Sequence, residues 1–325
     1  MDRLVAMLRA AGDPTRLRLL LLLREAELAV SELIEIVGQS QPRVSRHLKL
    51  LGEAGLLERF KEGSWVFYRA ADQGKGAELG RALSALAGPG LIETDRTRLA
   101  HVREARAAAA AAYFKTNAAE WERIRALHAP EKHVEAAIVK HLTAKPIEDL
   151  LDAGTGTGRM LELLAPHAKR AMGIDVSPEM LAIARDRLAR ENLPQVQVRL
   201  GDIYRLPFAA GSRTAGFDTV LFHQVLHYLD DPGAAVSEAA RVMRPGGRLA
   251  IADFAPHGLE FLRDDYAHRR LGFSDREVKG WFDAAGLKSG TSETIAPDLN
   301  TKEGPSPEKL TVKIWLATAR AQEAA

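Results

Sequence analysis

The chain has 325 residues, 46% of them hydrophobic and 27% charged, which fits two folded domains and excludes a largely disordered chain. Its formal net charge of +2 is too small to indicate a nucleic-acid partner by itself, and the absence of cysteine excludes disulfides, thiolate metal sites and cysteine nucleophiles. No apolar run reaches the about 20 residues of a membrane span and no signal peptide is visible, so we expect a cytoplasmic protein without a membrane partner.

The first predicted helix with a clear beginning follows Asp13. Aspartate caps helices because its carboxylate accepts from free backbone amides, and Pro14 suits the first helical position. The leucine-rich run that follows predicts a helix to about Glu25. Two shorter amphipathic stretches, Val30 to Val37 and Pro42 to Gly52, predict a pair of helices that pack their apolar faces against the first one.

The turn between the paired helices, and the second helix itself, carry the residues expected to bind DNA. Gly38 opens a short polar turn, which is the connection that a helix-turn-helix uses. Val44, Leu48 and Leu51 form the inward side of the second helix, and its other side is basic. Arg, Gln and Ser at the start of a recognition helix can bind base edges in the major groove. The candidates here are Gln39, Ser40, Gln41, Arg43, Ser45, Arg46, His47 and Lys49.

Two β-rich runs, residues 56–61 and 65–69, predict a hairpin joined at Glu62-Gly63-Ser64. This hairpin is the expected wing of a winged helix, and it adds Lys61 and Ser64 to the candidate DNA-binding residues. The alternative is that the basic helix is merely a solvated face of an unrelated helical domain. Helix, turn, helix and wing in this order favour the DNA-binding interpretation.

This region, roughly residues 1–90, resembles the ArsR/SmtB family of winged-helix repressors. The resemblance rests on Asp13-Pro14-Thr15-Arg16-Leu17-Arg18-Leu19-Leu20, on the segment from Gln41 to Leu51, and on the hairpin. It implies an N-terminal, mainly α-helical winged helix-turn-helix domain. It also implies a homodimer, formed through the first helix and a helix from about Asp72 to Ala87, that binds a palindromic operator in double-stranded DNA.

The same region departs from the metal-sensing members of that family. Those members carry Glu-Leu-Cys-Val-Cys-Asp-Leu, whereas this chain has Glu27-Leu28-Ala29-Val30-Ser31-Glu32-Leu33, so both thiolate ligands are missing. The other familiar metal site uses His and Asp on the last helix, and residues 72–87 contain no His. We therefore expect no metal.

Residues 91–128 are predicted to form a helical connector. The segment Gly88-Pro89-Gly90 ends the preceding helix, and the Ala-rich stretch Thr97 to Phe114 favours a new one. Apolar residues then recur at helical spacing, which indicates packing against the next domain. They are Tyr113, Phe114, Trp121 and Ile124.

In residues 129–325, short apolar runs alternate with helical stretches, which predicts a parallel sheet covered by helices on both faces. The first run ends in Asp152-Ala153-Gly154-Thr155-Gly156-Thr157-Gly158 and leads into a helix. Such a glycine-rich loop lets the backbone approach a ligand at a helix start, where free amides favour a carboxylate or phosphate. A dinucleotide fingerprint would need glycine at Arg159, so the loop alone does not indicate NAD.

Further polar residues follow the next predicted strands. Asp175 comes about 20 residues after the loop, where a carboxylate can accept from both ribose hydroxyls. Asp202 can accept from the adenine amine, with Ile203 beside it offering an amide and an apolar contact. Each acid could instead be a helix cap or a turn residue. The fourth strand leads into the segment from His223 to His227, and a fifth strand follows Arg244-Pro245-Gly246-Gly247.

This ordered set, over about residues 130–320, resembles the class I S-adenosylmethionine (SAM) methyltransferases, with details nearest to the small-molecule and quinone-type branch. The resemblance implies a C-terminal α/β, Rossmann-like, seven-stranded, mostly parallel sheet that binds SAM or S-adenosylhomocysteine (SAH) across the carboxyl ends of its first strands. The connector would either cap the cofactor or simply pack. The candidate cofactor-binding residues are Asp152, Gly154, Thr155, Gly156, Gly158, Asp175, Val176, Met180, Asp202, Ile203 and His223.

The sequence does not separate an enzyme from a sensor, because methyl transfer from a sulfonium depends mainly on positioning. His223 and His227 are the candidate catalytic residues, as bases near the methyl group, or else they shape the pocket. Residues 264–273 are either an acceptor lid or a solvated helix. The absence of cysteine excludes thiol-based arsenic methylation.

Two functions are compatible with these features. The first is a DNA-binding regulator whose methyltransferase domain senses SAM or SAH, since a DNA-binding domain without metal ligands needs another input. The second is an active small-molecule methyltransferase whose DNA-binding domain controls its own gene. A plain enzyme with a degenerate N-terminal domain is disfavoured, because Arg43, Ser45, Arg46 and the wing are all present.

Overall fold

The computed structural model describes residues 2–26, 28–62, 65–71, 74–118, 131–191, 193, 195–212, 215–297 and 310–321. The chain folds into two compact units, Met1–Ala109 and Ala110–Ala325. The side chains of Ile92, Leu99 and Val102 are buried in the core of the first unit. The N-terminal part of the predicted connector therefore packs with the DNA-binding region, while the boundaries at residues 90 and 128 stay predictions.

The first unit consists of helices around a small antiparallel sheet. Its elements are α1 (Asp2–Ala11), α2 (Pro14–Glu25), β1 (Leu28–Ala29), α3 (Val30–Val37), α4 (Gln41–Glu53), β2 (Leu57–Glu62), β3 (Trp65–Ala70), α5 (Gly74–Ala87) and α6 (Glu93–Asn117), within which the chain passes into the second unit. The sheet order is β1-β3-β2, so the predicted hairpin gains one short strand that the sequence pattern did not indicate. The predicted helix-turn-helix and hairpin are confirmed.

Helix α2 begins where the capping residues predict. The carboxylate of Asp13 accepts the backbone amide of Arg16 at 3.0 Å, which satisfies one of the free donors of the first turn. Leu19 to Leu23 of α2 are all buried, so this helix is the centre of the unit. A further attachment is ionic: the guanidinium of Arg18 donates to both carboxylate oxygens of the buried Asp95, at 2.7 and 2.5 Å. This bidentate pair holds the start of α6 on α2 and compensates the burial of the carboxylate.

The second unit is a seven-stranded sheet with helices on both faces. Its elements are α7 (Glu131–Leu142), β4 (Ile147–Ala153), α8 (Arg159–Leu164), β5 (Ala168–Asp175), α9 (Pro178–Arg190), β6 (Val196–Leu200), β7 (Phe217–His223), α10 (Pro232–Val242), β8 (Met243–Phe254), α11 (Phe261–Tyr266), α12 (Asp275–Ala284), β9 (Leu287–Ile295) and β10 (Val312–Ala319). The strand order is β6-β5-β4-β7-β8-β10-β9. Among the described strands, β10 is antiparallel to both of its neighbours and the other pairs are parallel, so the predicted mostly parallel sheet is confirmed.

The sheet is buried on both faces because its central strands are almost wholly apolar. One core holds Ile138, Leu161 and Ile314, and the other holds Val236 and Phe282. The carboxyl ends of β5, β4 and β7 lie side by side in this order, which is where open α/β sheets bind ligands.

Residues 264–273, after β8, do not form the solvated helix that was one of two alternatives from the sequence. Helix α11 ends at Tyr266, and the side chains of His268, Arg270 and Phe273 beyond it are buried. The alternative of a solvated helix through residue 273 is therefore wrong, because Phe273 belongs to a hydrophobic core and His268 stacks on Phe254 of β8. Trp121 and Ile124 lie outside the described residues.

None of the helices among the described residues is both long enough and apolar enough to cross a membrane.

Candidate functional site

Helix α4 presents a basic face to solvent. Its inward residues Val44, Leu48 and Leu51 are fully buried, which orients the opposite side outward. In the described part of the chain, no side chain or backbone group is bonded to the guanidinium of Arg43 or of Arg46. Both groups are thus available for a phosphate or a base edge. The exposed candidate residues are Ser40, Gln41, Arg43, Ser45, Arg46 and Lys49.

Two predicted DNA-binding residues are half-buried and hold α4 in place. Gln39 donates from Nε2 to the hydroxyl of Thr15 at 2.9 Å, and Nδ1 of His47 lies 3.8 Å from the carboxylate of Asp13. The pKa of Asp13 is lowered, chiefly by the backbone amide of Arg16, with further help from the charges of Arg16 and His47, while burial opposes the shift. The start of α2 therefore fixes the start of α4, and base contact by Gln39 or His47 stays a prediction.

The predicted wing contributes less information. Lys61 lies in β2, but its side chain is outside the description, and so is the whole of Ser64. Their contact with DNA stays a prediction.

The loop after β4 is tied to the neighbouring strand end by hydrogen bonds. The amides of Gly154 and Thr155 both donate to the carbonyl of Ile174, at 2.8 and 2.9 Å. The hydroxyl of Thr155 donates to Oδ2 of the buried Asp152 at 2.6 Å. The backbone therefore takes its loop shape from contacts within the chain.

Gly154 is required by packing as well as by backbone conformation. Its φ is +80°, and an added Cβ would lie 2.4 Å from Cγ2 of Val225, which follows β7. Sequence reasoning assigned this glycine to close approach of a ligand. The structure shows a nearer constraint, because the segment after β7 places Val225 directly against Gly154.

We expect Gly154→Ala to destabilise the full chain by about 3 kcal/mol, since overpacking and a left-handed conformation each cost about 1–2 kcal/mol. Chemical denaturation measures the change. The matched control is Gly246→Ala, where φ is +77° but no atom of the described residues lies within 4 Å of an added Cβ, so only the conformational part, about 1 kcal/mol, is expected. Equal losses in the two variants would contradict the packing argument.

Asp175 ends β5 with its carboxylate oriented by the backbone. Oδ2 accepts the amide of Gly156 at 2.8 Å, and Oδ1 accepts the amide of Ser177 at 2.9 Å. Burial raises the pKa of Asp175, and the amides of Ser177, Gly156 and Val176 oppose the shift without cancelling it. A carboxylate held in this way is ready to accept hydroxyl donors from a ligand.

Among the other predicted cofactor-binding residues, some are exposed at the edge of the site and some are buried in the interior. Asp202 is exposed, its Oδ1 accepts the amide of Tyr204 at 2.8 Å, and the amide of the preceding Gly201 donates to the carbonyl of Asp175 at 2.9 Å. Val176 is 59% exposed, which leaves an apolar surface beside Asp175. Ile203 and Met180 are buried, so these two predicted residues lie in the core.

These two acceptors and the apolar surface beside them fit SAM or SAH by their chemistry. The oriented carboxylate of Asp175 suits the ribose hydroxyls, and the apolar surface of Val176 next to the acceptor Asp202 suits an adenine ring. Within the described residues, no group of three or more His, Asp or Glu side chains gathers as metal ligands.

The two predicted catalytic histidines lie in different surroundings. His223 ends β7, with Nε2 4.0 Å from the carboxylate of Glu131. The next residue, Gln224, has φ +49° and donates from Nε2 to Glu131 at 2.7 Å. His227 lies in a short 3-10 turn, and its Nδ1 is 2.7 Å from Oδ1 of Asp253 on β8.

Sequence reasoning missed Glu131, Gln224 and Asp253. Only Asp253 left a usable signal, since a lone acid in the apolar strand segment Leu249-Ala250-Ile251-Ala252-Asp253-Phe254 is costly to bury without donors. Glu131 reaches β7 only through tertiary packing, which the local sequence does not show.

Two parts of the chain match known families. Residues 13–59 match the family model described as bacterial regulatory protein, arsR family, and residues 151–251 match the model described as methyltransferase domain. The protein therefore joins an ArsR-family helix-turn-helix domain to a methyltransferase domain.

Individual relatives match parts of the chain. An uncharacterized 37.1 kDa protein in transposon TN4556 of Streptomyces fradiae is 43% identical over 122 residues, which are 37% of this chain and 34% of that protein. The demethylmenaquinone methyltransferase of Tropheryma whipplei (strain Twist) is 35% identical over 136 residues, 42% of this chain and 54% of the enzyme. The match thus spans a third to about half of these relatives.

A solved structure agrees with the fold of the second unit. It is a chain of the complex between the Haloferax volcanii Trm112 methyltransferase activator and a methyltransferase, with a TM-score of 0.52 and 26% identity. The match covers 64% of this chain and 97% of that chain.

Proposed function

We propose that this protein is a homodimeric transcriptional regulator that binds operator DNA through α4 and senses SAM or SAH through its methyltransferase unit. The observation that carries the proposal is the presence, in one chain, of an exposed basic face on α4 and an oriented carboxylate, Asp175, beside a glycine-rich loop. The proposal places the protein with the chromosome, in the cytoplasm.

Exposed apolar side chains on α1 and α5 support the homodimer. Leu4 and Leu8 lie one turn apart on α1 with nearly half of each side chain exposed, and Leu86 on α5 is 83% exposed. Isolated apolar side chains are common on surfaces. The ArsR resemblance, however, implicates the first helix of the chain, which is α1, and the helix at about residues 72–87, which is α5, in dimer formation. A dimer would present α4 twice, as a palindromic operator requires.

Helix α6 supports the sensor role, because it bonds to functional elements at both of its ends. In the first unit, Arg98 donates to the carbonyl of Ile36 at 2.8 Å, just before the turn of the helix-turn-helix. In the second unit, the ring of Phe114 lies 4.8 Å from that of Tyr228, and Lys115 lies 3.8 Å from Glu179 at the start of α9. One continuous helix carries Arg98, Phe114 and Lys115. A ligand that changes the contacts of Phe114 and Lys115 can therefore act on the contact of Arg98 through this helix.

The test is operator affinity of the full chain, measured on DNA from upstream of its own gene at one salt concentration. We expect SAM or SAH to change the dissociation constant about 5–150-fold, the usual range of allosteric coupling. Asp175→Ala should abolish the change while leaving ligand-free operator affinity intact. If neither ligand altered the affinity of the wild-type chain, the sensor proposal would be untenable.

A second candidate function is methyl transfer itself. The observation that favours it is the buried pair of His227 and Asp253, which a sensor does not need. Since one relative acts on demethylmenaquinone by its name, a reduced naphthoquinone is the first acceptor to try. Transfer of labelled methyl from SAM to that acceptor by the full chain would establish the activity.

A further inference from the structure

Asp253 is a buried carboxylate that is saturated with donors. It is 0% exposed, and its oxygens accept the backbone amides of Leu226 at 3.0 Å and Phe254 at 2.8 Å, as well as Nδ1 of His227 at 2.7 Å. The amide of His227 lies at 3.4 Å from the same group. These contacts fix the carboxylate and the imidazole relative to each other.

The pairing determines which nitrogen of His227 carries the proton. An ionised carboxylate only accepts, so Nδ1 must donate, and the neutral ring then has its lone pair on Nε2. His227 is 1% exposed, and its Nε2 has no hydrogen-bond partner within the described residues. A buried basic nitrogen oriented by a carboxylate is the arrangement that proton-accepting histidines use.

The walls around His227 are aromatic. Its ring centroid lies 4.1 Å from that of Tyr228, 4.2 Å from that of His268 and 4.9 Å from that of Phe254. His268 is stacked on Phe254, with 19° between the two ring planes. These rings pack directly on the imidazole, so a molecule that reaches Nε2 would meet aromatic surfaces, against which a flat, largely apolar ring stacks best.

The segment after β8 covers His227, and Arg269 and Arg270 of this segment are directed to other partners. Arg269 pairs with Asp230 at 2.6 Å, and Arg270 lies 3.7 Å from Glu277. Their backbone amides both donate to the carbonyl of His227, at 2.9 and 3.1 Å. The segment thus covers His227 with backbone and with the ring of His268, while the guanidinium groups of Arg269 and Arg270 lie beside Asp230 and Glu277.

His227 also lies at the edge of the sheet where the cofactor is proposed to bind. It follows β7, whose neighbour β4 ends in the glycine-rich loop, and Val225 between them packs on Gly154. The methyl-bearing end of SAM would come to this edge, while Asp175 and Asp202 lie on the far side, after β5 and β6.

We propose that His227, positioned by Asp253, is the catalytic base for O-methylation of a planar aromatic hydroxyl compound. This inference rests on the second candidate function and on SAM binding. The acceptor hydroxyl gives its proton to Nε2, and its oxygen lone pair forms the bond to the methyl carbon. The bond from that carbon to sulfur breaks, and its electron pair stays on sulfur to give SAH. Asp253 stabilises the imidazolium, which later releases the proton to water.

The test uses 4-nitrophenol, which is colourless as the phenol and yellow as the phenolate. The full chain is first saturated with SAH, with binding verified by calorimetry, and is then titrated with 4-nitrophenol at a pH where the free compound is mostly protonated. We expect the bound fraction to contain about tenfold more phenolate than free solution, because a proton-accepting partner favours the charged form. His227→Gln should bind SAH normally and lose the yellow signal.

Two further variants separate the roles. Asp253→Asn should weaken the signal, because an amide cannot stabilise the imidazolium. His257→Gln is the matched control: His257 accepts the amide of Leu259 at 3.3 Å, lies on the same segment, and is not part of the proposed site, so the signal should persist. A signal that survives His227→Gln, or 4-nitrophenol that fails to bind or binds only as the phenol, overturns the inference.

Nitrogen-15 NMR of histidine-labelled wild-type protein gives a result that needs no variant. The expected spectrum shows His227 protonated on Nδ1 and bare on Nε2, and the opposite tautomer overturns the inference. Failure of SAH to bind would instead defeat the cofactor part of the proposed function. SAH binding with a colourless phenol overturns this inference alone.

Discussion

Replacing Asp175 with alanine is expected to lower the affinity of the full chain for SAH by at least about 100-fold. The carboxylate is held by the amides of Gly156 and Ser177, so its remaining acceptor positions are oriented before the ligand arrives. Two ribose hydroxyls that donate to a charged acceptor contribute about 1.5–3 kcal/mol each, which corresponds to this loss. Isothermal titration calorimetry measures it.

The controls use other aspartates of the same unit. Asp202→Ala should cost about tenfold, because the exposed Asp202 would accept a single bond from adenine. Asp186→Ala should leave affinity unchanged, since Asp186 is an exposed residue of α9 that pairs with Arg190. A dissociation constant for Asp175→Ala within about threefold of wild type would remove Asp175 from the ribose site.

The raised pKa of Asp175 makes both the stability of the ligand-free fold and the affinity for SAH depend on pH, in opposite directions. Because the folded-state pKa lies above the unfolded value, protonation of Asp175 stabilises the ligand-free fold at low pH, and this contribution is lost as pH rises through the folded pKa. SAH affinity runs the other way, since the ribose hydroxyls need the carboxylate. It should fall on acidification at a higher pH than an ordinary aspartate would give. An SAH affinity that stays constant on acidification would argue against Asp175 as the acceptor of the ribose hydroxyls.

Replacing Arg43 and Arg46 together with alanine is expected to reduce operator affinity by about 100-fold or more at fixed salt. Each guanidinium is exposed on α4, and a dimer presents each one twice, so four contacts to phosphates or base edges are lost. Fluorescence anisotropy with labelled operator DNA measures the change. The salt dependence of binding should also become shallower, because fewer counterions are released.

A charge-matched control separates the recognition face from net charge. Arg190→Ala with Lys279→Ala also removes two exposed cations, each of which pairs with an acid one helical turn away in the second unit. Its operator affinity should stay within about twofold of wild type, as expected for charges outside the DNA contact. If both double variants lost affinity equally, α4 would have no special part in DNA binding.

Short-range patterns in the sequence predicted much of this protein. The beginning of α2 at Pro14, the turn at Gly38, the hairpin and the glycine-rich loop after β4 all follow from capping, backbone conformation or alternation. Each depends on residues within a few positions, so the sequence shows cause and effect together. The spacing of Asp175 and Asp202 after successive strands likewise predicts that the cofactor binds at one edge of the sheet.

Tertiary structure decided which of these side chains are available. Gln39 and His47 have the right chemistry and position for DNA contact, yet packing of α4 on α2 turns them toward Thr15 and Asp13. Sequence periodicity specifies a face of a helix, whereas the neighbouring helix determines how much of that face is left exposed.

The sequence by itself determined the helix-turn-helix, the hairpin and the glycine-rich loop that follows the first strand of the large sheet, because each depends on local capping, turns and periodicity, while its resemblance to two families indicated the two domain types. Only the tertiary structure joined His227 to Asp253, Glu131 to Gln224 and Val225 to Gly154. Parallel strands bring together residues that are far apart in the chain, so a buried acid and the histidine that it orients leave no common pattern in the sequence.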